Sequence, residues 1–303
     1  KMGIYDEISA NRWKSGLLVF VFLVLVTAIG LIVGLFYGSM YFGVILAIIV
    51  GGLYFLISYY GGSGMILAMS HAKEAQKPEH AHLINVVEGL SIAAGLSKVP
   101  KVYVIDDSAL NAFATGRNPE NSAIAVTSGL LNKLNRQELE GVIAHEMAHI
   151  KNYDIRVMML AAVMVGITVL LSDFLLRSFL WGGKGRREDG GGGVTLGLIA
   201  LGIVLAILSP LIGEMIKLAI SRKREFLADA SGALLTRHPK GLADALRKIK
   251  NDPDPLVDTA NKATAHLFIS MPFRHDKKQR SWMQNLFSTH PPIDERIEKL
   301  EGM

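Results

Sequence analysis

The stretch ELEGVIAHEMAHIKNYD, residues 138–154, holds two histidines four positions apart, with a glutamate directly after the first. On an α-helix, positions i and i+4 share a face, so His145 and His149 can direct both imidazoles at one metal ion. Glu146 projects about a quarter turn away, where it can reach a metal-bound water without ligating the metal. This arrangement suits peptide hydrolysis, because the metal activates water and the glutamate takes its proton.

Chance is the alternative explanation for so short a motif, and its surroundings argue against it. The motif lies on a predicted helix that has Asn135 as its N-cap. His145 and His149 interrupt an otherwise apolar face, which includes Val142 and Ile143, and unpaired imidazoles would be costly there. The sequence therefore favours a zinc site over a purely structural helix.

A catalytic zinc needs a third protein ligand, and the chain excludes two familiar sources of one. A metzincin would place a glycine at position 152 and a histidine at position 155, where this sequence has Asn152 and Ile155. A site-2-type intramembrane protease would keep the motif inside a membrane span, whereas here the motif precedes one. We therefore expect a carboxylate from further along the chain.

The best source of that carboxylate is SRKREFLADASGALL, residues 221–235. Glu225 and Asp229 share a helix face by the same i+4 rule. Glu225 can ligate zinc, while Asp229, one turn on, orients a ligand through a hydrogen bond. The alternative is that both form salt bridges with Arg222 or Arg224 on a solvated helix.

Half of the residues are apolar and the mean hydropathy is +0.33, which argues against a simple soluble protein. The apolar residues are concentrated in four segments. Three are long enough to cross a bilayer, which takes about 20 residues, and the third along the chain is shorter. The segments are 16–38, 41–60, 157–171 and 194–212.

Four spans would divide the chain into two membrane hairpins and two parts of one catalytic domain. We predict an N-terminal hairpin (1–60), the first catalytic part (61–156), a second hairpin (157–219) with a glycine-rich loop (182–193), and the second catalytic part (220–303). Lys and Arg cluster beside the spans, on the side of both catalytic parts, which places these parts in the cytosol by the positive-inside rule. That clustering does not resemble a nucleic-acid-binding patch, so we expect no nucleic-acid partner. The absence of cysteine excludes disulfides and a cysteine nucleophile.

The first catalytic part has the pattern of a small α+β unit. KVYVI (101–105) and SAIAVTSG (122–129) predict strands, and NAFATGRNPEN (111–121) predicts a strand followed by a turn. A helical pattern precedes them and ends at Gly95.

The ordered set of motifs resembles the HtpX family of membrane zinc endopeptidases, relatives of the CAAX prenyl protease. The matching motifs are HEMAHI (145–150), SRKREFLADASGA (221–233) and STHPPIDERI (288–297), together with NAFATG (111–116) and the glycine loop. The resemblance implies an α+β zincin (gluzincin-like) catalytic domain combined with four hydrophobic, mostly transmembrane helices. It covers essentially the whole chain.

By position, the resemblance implies that one zinc ion per chain is bound by His145, His149 and Glu225. It makes Glu146 the general base and acid, and Asp229 the residue that orients a ligand.

Four further residues receive roles from the resemblance alone. His290 is implied to stabilise the tetrahedral oxyanion, with Arg296 assisting from outside the ligand set. Asn111 and Ala112 are implied to lie near the scissile bond, in an edge strand that aligns the substrate backbone.

The implied activity is cleavage of misfolded or damaged membrane proteins, in protein quality control and stress response. The expected setting is the bacterial inner (plasma) membrane, with several spans and the catalytic side in the cytoplasm. Unfolded membrane-protein substrates, the lipid bilayer and other membrane quality-control proteases are the expected partners.

Two other functions remain open from the residues. A prenyl-peptide processing protease would share the site architecture, although four spans provide no obvious chamber for such a substrate. A membrane scaffold with a structural zinc site would need four protein ligands, and the sequence offers three.

Overall fold

The computed structural model describes residues 4–36, 38–161, 222–252, 269 and 291–303. Most of the predicted second hairpin, including its glycine-rich loop, lies outside the described residues, and so does His290. The arrangement of four membrane spans therefore stays a prediction.

An antiparallel pair of long helices opens the chain: α1 (Ile4–Phe36) and α2 (Met40–Met69). Within the described ranges, α2 is the one helix long and apolar enough to cross a membrane, and α1 contributes a shorter apolar segment, Trp13–Val24. The two helices approach closely at Gly43, where a side chain would collide with the backbone of α1. Much of the apolar surface of α2 is exposed, as expected of a helix that faces lipid.

The described part of the catalytic unit contains a four-stranded sheet with the order β1-β2-β4-β3. The strands are β1 (Lys73–Glu74), β2 (Lys101–Ile105), β3 (Ala112–Asn118) and β4 (Asn121–Thr127). β4 runs parallel to β2 and antiparallel to β3, so that β3 forms one edge. The three strands predicted from the sequence correspond to β2, β3 and β4.

Three helices of the first catalytic part pack around this sheet: α3 (Lys77–Ala94), α4 (Ser128–Lys133) and α5 (Arg136–Lys151). α5 begins with a capping box, in which the Asn135 side chain accepts from the Glu138 amide and the Glu138 carboxylate accepts from the Asn135 amide. Its apolar face, with Val142, Ile143 and Met147, is completely buried in the main core. The core thus fixes the orientation of the helix that carries the histidines.

The chain turns sharply after α5 at Tyr153, whose φ is +62°, and continues as α6 (154–161). Beyond it lie α7 (Arg222–Thr236), α8 (Pro239–Asn251) and α9 (Ile293–Glu301). α7 packs closely on α5 because it has Gly232 at the crossing, where a Cβ would lie 3.0 Å from the His145 amide nitrogen. This close approach brings the side chains of α7 to the histidines of α5.

Candidate active site

Three potential metal ligands converge from α5 and α7 in the interior of the protein. The Nε2 atoms of His145 and His149 lie 3.2 Å apart. Glu225 reaches them from α7, with its Oε2 at 3.7 Å from His145 Nε2 and its Oε1 at 3.5 Å from His149 Nε2. All three side chains are buried and their donor atoms lie within 4.8 Å of one another, so the group can hold a metal ion.

Asp229, one turn after Glu225 on α7, contacts the ring of His145. The Nδ1 atom of His145 lies 2.9 Å from Asp229 Oδ1. An Nδ1–H that donates to this carboxylate leaves Nε2 as the lone-pair nitrogen, facing His149 and Glu225. Asp229 therefore selects the tautomer that a metal ligand requires.

Asp229 is in turn held by Arg296, which is completely buried. The guanidinium donates from Nε to Oδ2 at 2.9 Å and from Nη2 to Oδ1 at 2.7 Å. Although burial by itself raises the pKa of Asp229, the charge of Arg296 and the hydrogen bond with His145 outweigh it, and the pKa is lowered. Asp229 thus stays ionised behind His145.

The alternative interpretation, in which Glu225 and Asp229 form salt bridges with Arg222 or Arg224 on a solvated helix, is wrong. Both carboxylates are buried, and the arginine that pairs with Asp229 is Arg296 of α9. Arg224 is buried as well and donates from Nη1 to Asp154, at 3.2 Å.

Asp154 is a site residue that the sequence analysis missed. Its Oδ2 lies 3.0 Å from Nδ1 of His149, so it orients His149 as Asp229 orients His145. The available signal was a carboxylate five residues after the second histidine. Its use depends on the turn at Tyr153, which brings Asp154 back towards α5.

Asp154 strongly influences the protonation of His149 in the metal-free chain. Burial by itself lowers the pKa of His149, but the hydrogen bond to Asp154 and the negative charges of Glu225, Asp154 and Glu146 outweigh burial. Together they raise the pKa to about 9. The electrostatic environment therefore attracts positive charge, which suits a cation site.

Glu146, the glutamate of the motif, lies next to His145 in the sequence of α5. It is buried on α5, and its negative charge helps to raise the pKa of both His149 and Arg296. The three-ligand group consists of His145, His149 and Glu225 and does not include Glu146. Its position is that of a carboxylate next to the metal site.

Asn111 and Ala112 lie at the start of the edge strand β3. Asn111 is buried, its carbonyl accepts from the Thr127 amide of β4, and its Oδ1 accepts from the Ala112 amide. The next carbonyl, that of Ala112, accepts from the amide of Ile269 at 2.9 Å. The edge that was predicted to align substrate is thus adjacent to a residue of the second catalytic part, and a role in substrate binding stays a prediction.

Comparison with known proteins agrees with this geometry. Residues 77–303 match the profile of peptidase family M48. A protein named Protease HtpX homolog from Dictyoglomus thermophilum is 45% identical over 99% of this chain and 94% of its own length. A Protease HtpX homolog from Streptococcus thermophilus is 41% identical over 99% of this chain and 100% of its own length.

A solved structure, that of Ste24p from S. mikatae, is similar with a TM-score of 0.45 and 20% identity. The match covers 94% of this chain but 62% of that chain, so this chain spans less than two thirds of it. Similarity at this level does not bear on the site residues.

An HExxH helix and a later helix that contributes a glutamate define a metallopeptidase-type site. The chain belongs to peptidase family M48. The resemblance to HtpX proteins inferred from the motifs is thereby confirmed.

Proposed function

We propose that this chain is an integral-membrane zinc endopeptidase that cleaves misfolded or damaged membrane proteins at the cytosolic face of a bacterial plasma membrane. The observation that carries the proposal is the buried group of His145, His149 and Glu225, with Glu146 beside it on α5. A structural metal site has no use for a carboxylate that stands beside the ligands without binding the metal. A hydrolytic site needs one as its general base, so this group favours hydrolysis.

The donor atoms fit zinc in their chemistry and spacing. Zinc in proteins binds imidazole nitrogen and carboxylate oxygen at about 2.0–2.1 Å, so the donors of a tetrahedral site lie about 3.3 Å apart. The observed separations between His145, His149 and Glu225 are 3.2, 3.5 and 3.7 Å. The ligand group has three members among the described residues, which is the number typical of catalytic zinc.

The residues of the chain divide the work around the metal. The chemistry that a bound zinc supplies is acidification of water and polarisation of the scissile carbonyl. Glu146 accepts the proton of the attacking water as general base and returns it to the leaving amine as general acid. Asp229 and Asp154 hold the two imidazoles in the ligating tautomer. The proposed role of His290, stabilisation of the oxyanion, rests on the family resemblance.

The proposed substrate is an extended polypeptide. We expect such a chain to add to the edge strand β3 by β-pairing beyond Ala112, whose carbonyl accepts from Ile269. This pairing is sequence-tolerant because the bonds are made by main-chain atoms. That tolerance suits a protease of damaged proteins. The apolar helix α2 and the basic residues beside the apolar segments support a membrane protein with its catalytic unit on the cytosolic side.

The test is cleavage of unfolded casein by the detergent-purified chain, stripped of metal and then given zinc. Wild type should cleave only with zinc. Glu146→Gln should bind one zinc and not cleave. The control is Glu140→Gln, on the solvent-facing side of the same helix. It loses only a surface ion pair with Arg136, which contributes little, so it should behave as wild type.

Other outcomes would contradict the proposal. Full activity of Glu146→Gln would reject the mechanism, and preference for a farnesylated peptide over casein would favour a prenyl-peptide protease. Four protein ligands, counted by X-ray absorption spectroscopy, together with no cleavage would favour a structural zinc site.

A further inference from the structure

Asn11, in the N-terminal helix α1, reaches the back of the metal site. Its side chain is buried, with 1% exposed, and both of its polar atoms are used. Nδ2 donates to Asp154 Oδ1 at 2.7 Å and to the Asn152 carbonyl at 2.8 Å, while Oδ1 accepts from Arg224 Nη1 at 2.9 Å. One amide thus links α1 to the α5–α6 turn and to α7.

Both segments that Asn11 contacts carry parts of the ligand group. Asp154 uses Oδ2 for His149 Nδ1 and Oδ1 for Asn11 and Arg224, so its carboxylate is held from both sides. Arg224 directly precedes Glu225, the glutamate of the ligand group, on α7. One residue therefore separates Asn11 from each of two proposed metal ligands: Asp154 connects it to His149, and Arg224 connects it to Glu225.

The folding of α1 does not itself require an asparagine here. A buried amide is costly unless its hydrogen bonds are satisfied, and the partners of the Asn11 side chain, Asn152, Asp154 and Arg224, all lie outside α1. Ser15, one turn further and also buried, shows the contrast, because its described hydroxyl bond goes back to the Asn11 carbonyl of the same helix. The Asn11 side chain thus bonds with the residues behind the ligands.

We propose that Asn11 is a positioning residue of the metal site, which holds Asp154 against His149 and Arg224 beside Glu225, so that docking of the N-terminal membrane helix sets the affinity for the metal. The inference rests on the proposed function, from which it takes zinc as the bound metal. It goes further because it makes the membrane helix part of the zinc site.

The test compares zinc affinity, measured by competition with a chromophoric chelator, in wild type, Asn11→Leu, Asn11→Ala and Ser15→Ala. Loss of residues that orient a zinc ligand typically weakens zinc binding about 10- to 100-fold. We expect a loss of that size in both Asn11 variants and none in Ser15→Ala. Both Asn11 variants lose the amide, but their side chains differ in size. If one variant does not fold, the zinc affinity of the other still tests the inference.

Two further readouts separate positioning from general damage to the fold. The absorption spectrum of cobalt(II), bound in place of zinc, should change in the Asn11 variants, because it reports ligand geometry. In zinc-titrated cleavage of casein, the Asn11 variants should need more free zinc for half-maximal rate, with the KM for casein unchanged. Thermal unfolding of the metal-free variants shows that they are folded.

Wild-type zinc affinity and a wild-type cobalt spectrum in a folded Asn11 variant would overturn the inference, as would an equal loss in Ser15→Ala. These results are independent of proteolysis. Normal zinc binding by Asn11 variants of an active protease would reject the inference alone, whereas a wild type that binds zinc but cleaves nothing would reject the proposed function alone.

Discussion

Arg296 and Asp229 form a two-bond ion pair in the interior of the protein, with Nε–Oδ2 at 2.9 Å and Nη2–Oδ1 at 2.7 Å. The same Oδ1 lies 2.9 Å from Nδ1 of His145. The pair therefore joins α9, near the end of the chain, to the proposed metal ligand on α5. Removing one partner of such a pair leaves a buried charge uncompensated.

The first prediction concerns this pair. Arg296→Met should destabilise the metal-free protein by about 3–5 kcal/mol, since Asp229 keeps its charge without a partner. Thermal unfolding in detergent measures the effect. Arg296→Lys should be less harmful to stability but should still weaken zinc binding, because a lysine cannot make both bonds.

Arg247→Met is the matched control. Arg247 is a partly exposed arginine that pairs with Asp244 one turn away and with the partly exposed Glu301 of α9. An exposed pair of this kind is worth about 0–1 kcal/mol, so the melting temperature should change little. Equal effects of the two methionine substitutions would show that the buried pair has no special role.

The second prediction concerns Glu225. Glu225→Ala should remove one of three proposed ligands, so that the purified variant holds little zinc and does not cleave casein. Metal content per chain, measured by mass spectrometry after dialysis, gives the result. Unchanged zinc content would reject Glu225 as a ligand, and Glu140→Gln serves as the exposed control.

The third prediction follows from the raised pKa of His149, about 9 in the metal-free chain. A protonated imidazole cannot ligate, so zinc must displace this proton at any pH below about 9. Apparent zinc affinity should therefore rise about tenfold per pH unit as pH increases towards 9, and binding should release a proton that calorimetry in different buffers detects. Below that pKa, proton competition weakens binding.

Asp154→Asn tests the cause of this pH dependence. It removes the Asp154 charge, one of the causes of the raised pKa of His149, so in the variant the rise of affinity should level off at a lower pH, and less proton should be released just below the wild-type pKa. A rise that levels off at the same pH in both proteins would contradict the assigned role of Asp154.

The fourth prediction tests the close packing of α7 on α5. A Cβ at Gly232 would lie 3.0 Å from the backbone nitrogen of His145, which cannot move without shifting the helix. Gly232→Ala should therefore lower both the melting temperature and zinc affinity.

Gly89→Ala in α3 is the control for Gly232. A Cβ at Gly89 meets no atom within 4 Å, and alanine in a helix is more favourable than glycine by up to about 1 kcal/mol. The control should raise stability and leave zinc affinity unchanged. A stabilised Gly232→Ala with normal zinc binding would show that the two helices have room to adjust.

Residues that are close in sequence were predictable because helical spacing alone decides which of them share a face. The spacing of His145 and His149 on a helix capped by Asn135 is of this kind, and so is the spacing of Glu225 and Asp229. The strands β2 and β4 followed from their runs of β-branched and apolar residues.

Residues that meet from distant parts of the chain were not predictable in this way. Arg296 was expected to assist beside His290, and its contacts in the structure include Asp229, the Ile269 carbonyl and the ring of His145. Asp154 stands after the end of α5, and its contact with His149 depends on a left-handed residue at the turn. No periodicity in the sequence signals either contact.

Local sequence spacing specifies the chemical groups of the site: two imidazoles, a neighbouring glutamate and a later carboxylate, in a chain of peptidase family M48. The residues that hold those groups in place come together only in the folded chain. Asn11 lies 141 residues from Asn152 and 213 residues from Arg224, yet it bonds with both. Such contacts depend on how closely helices dock, which is set by packing of the whole core and not by local spacing.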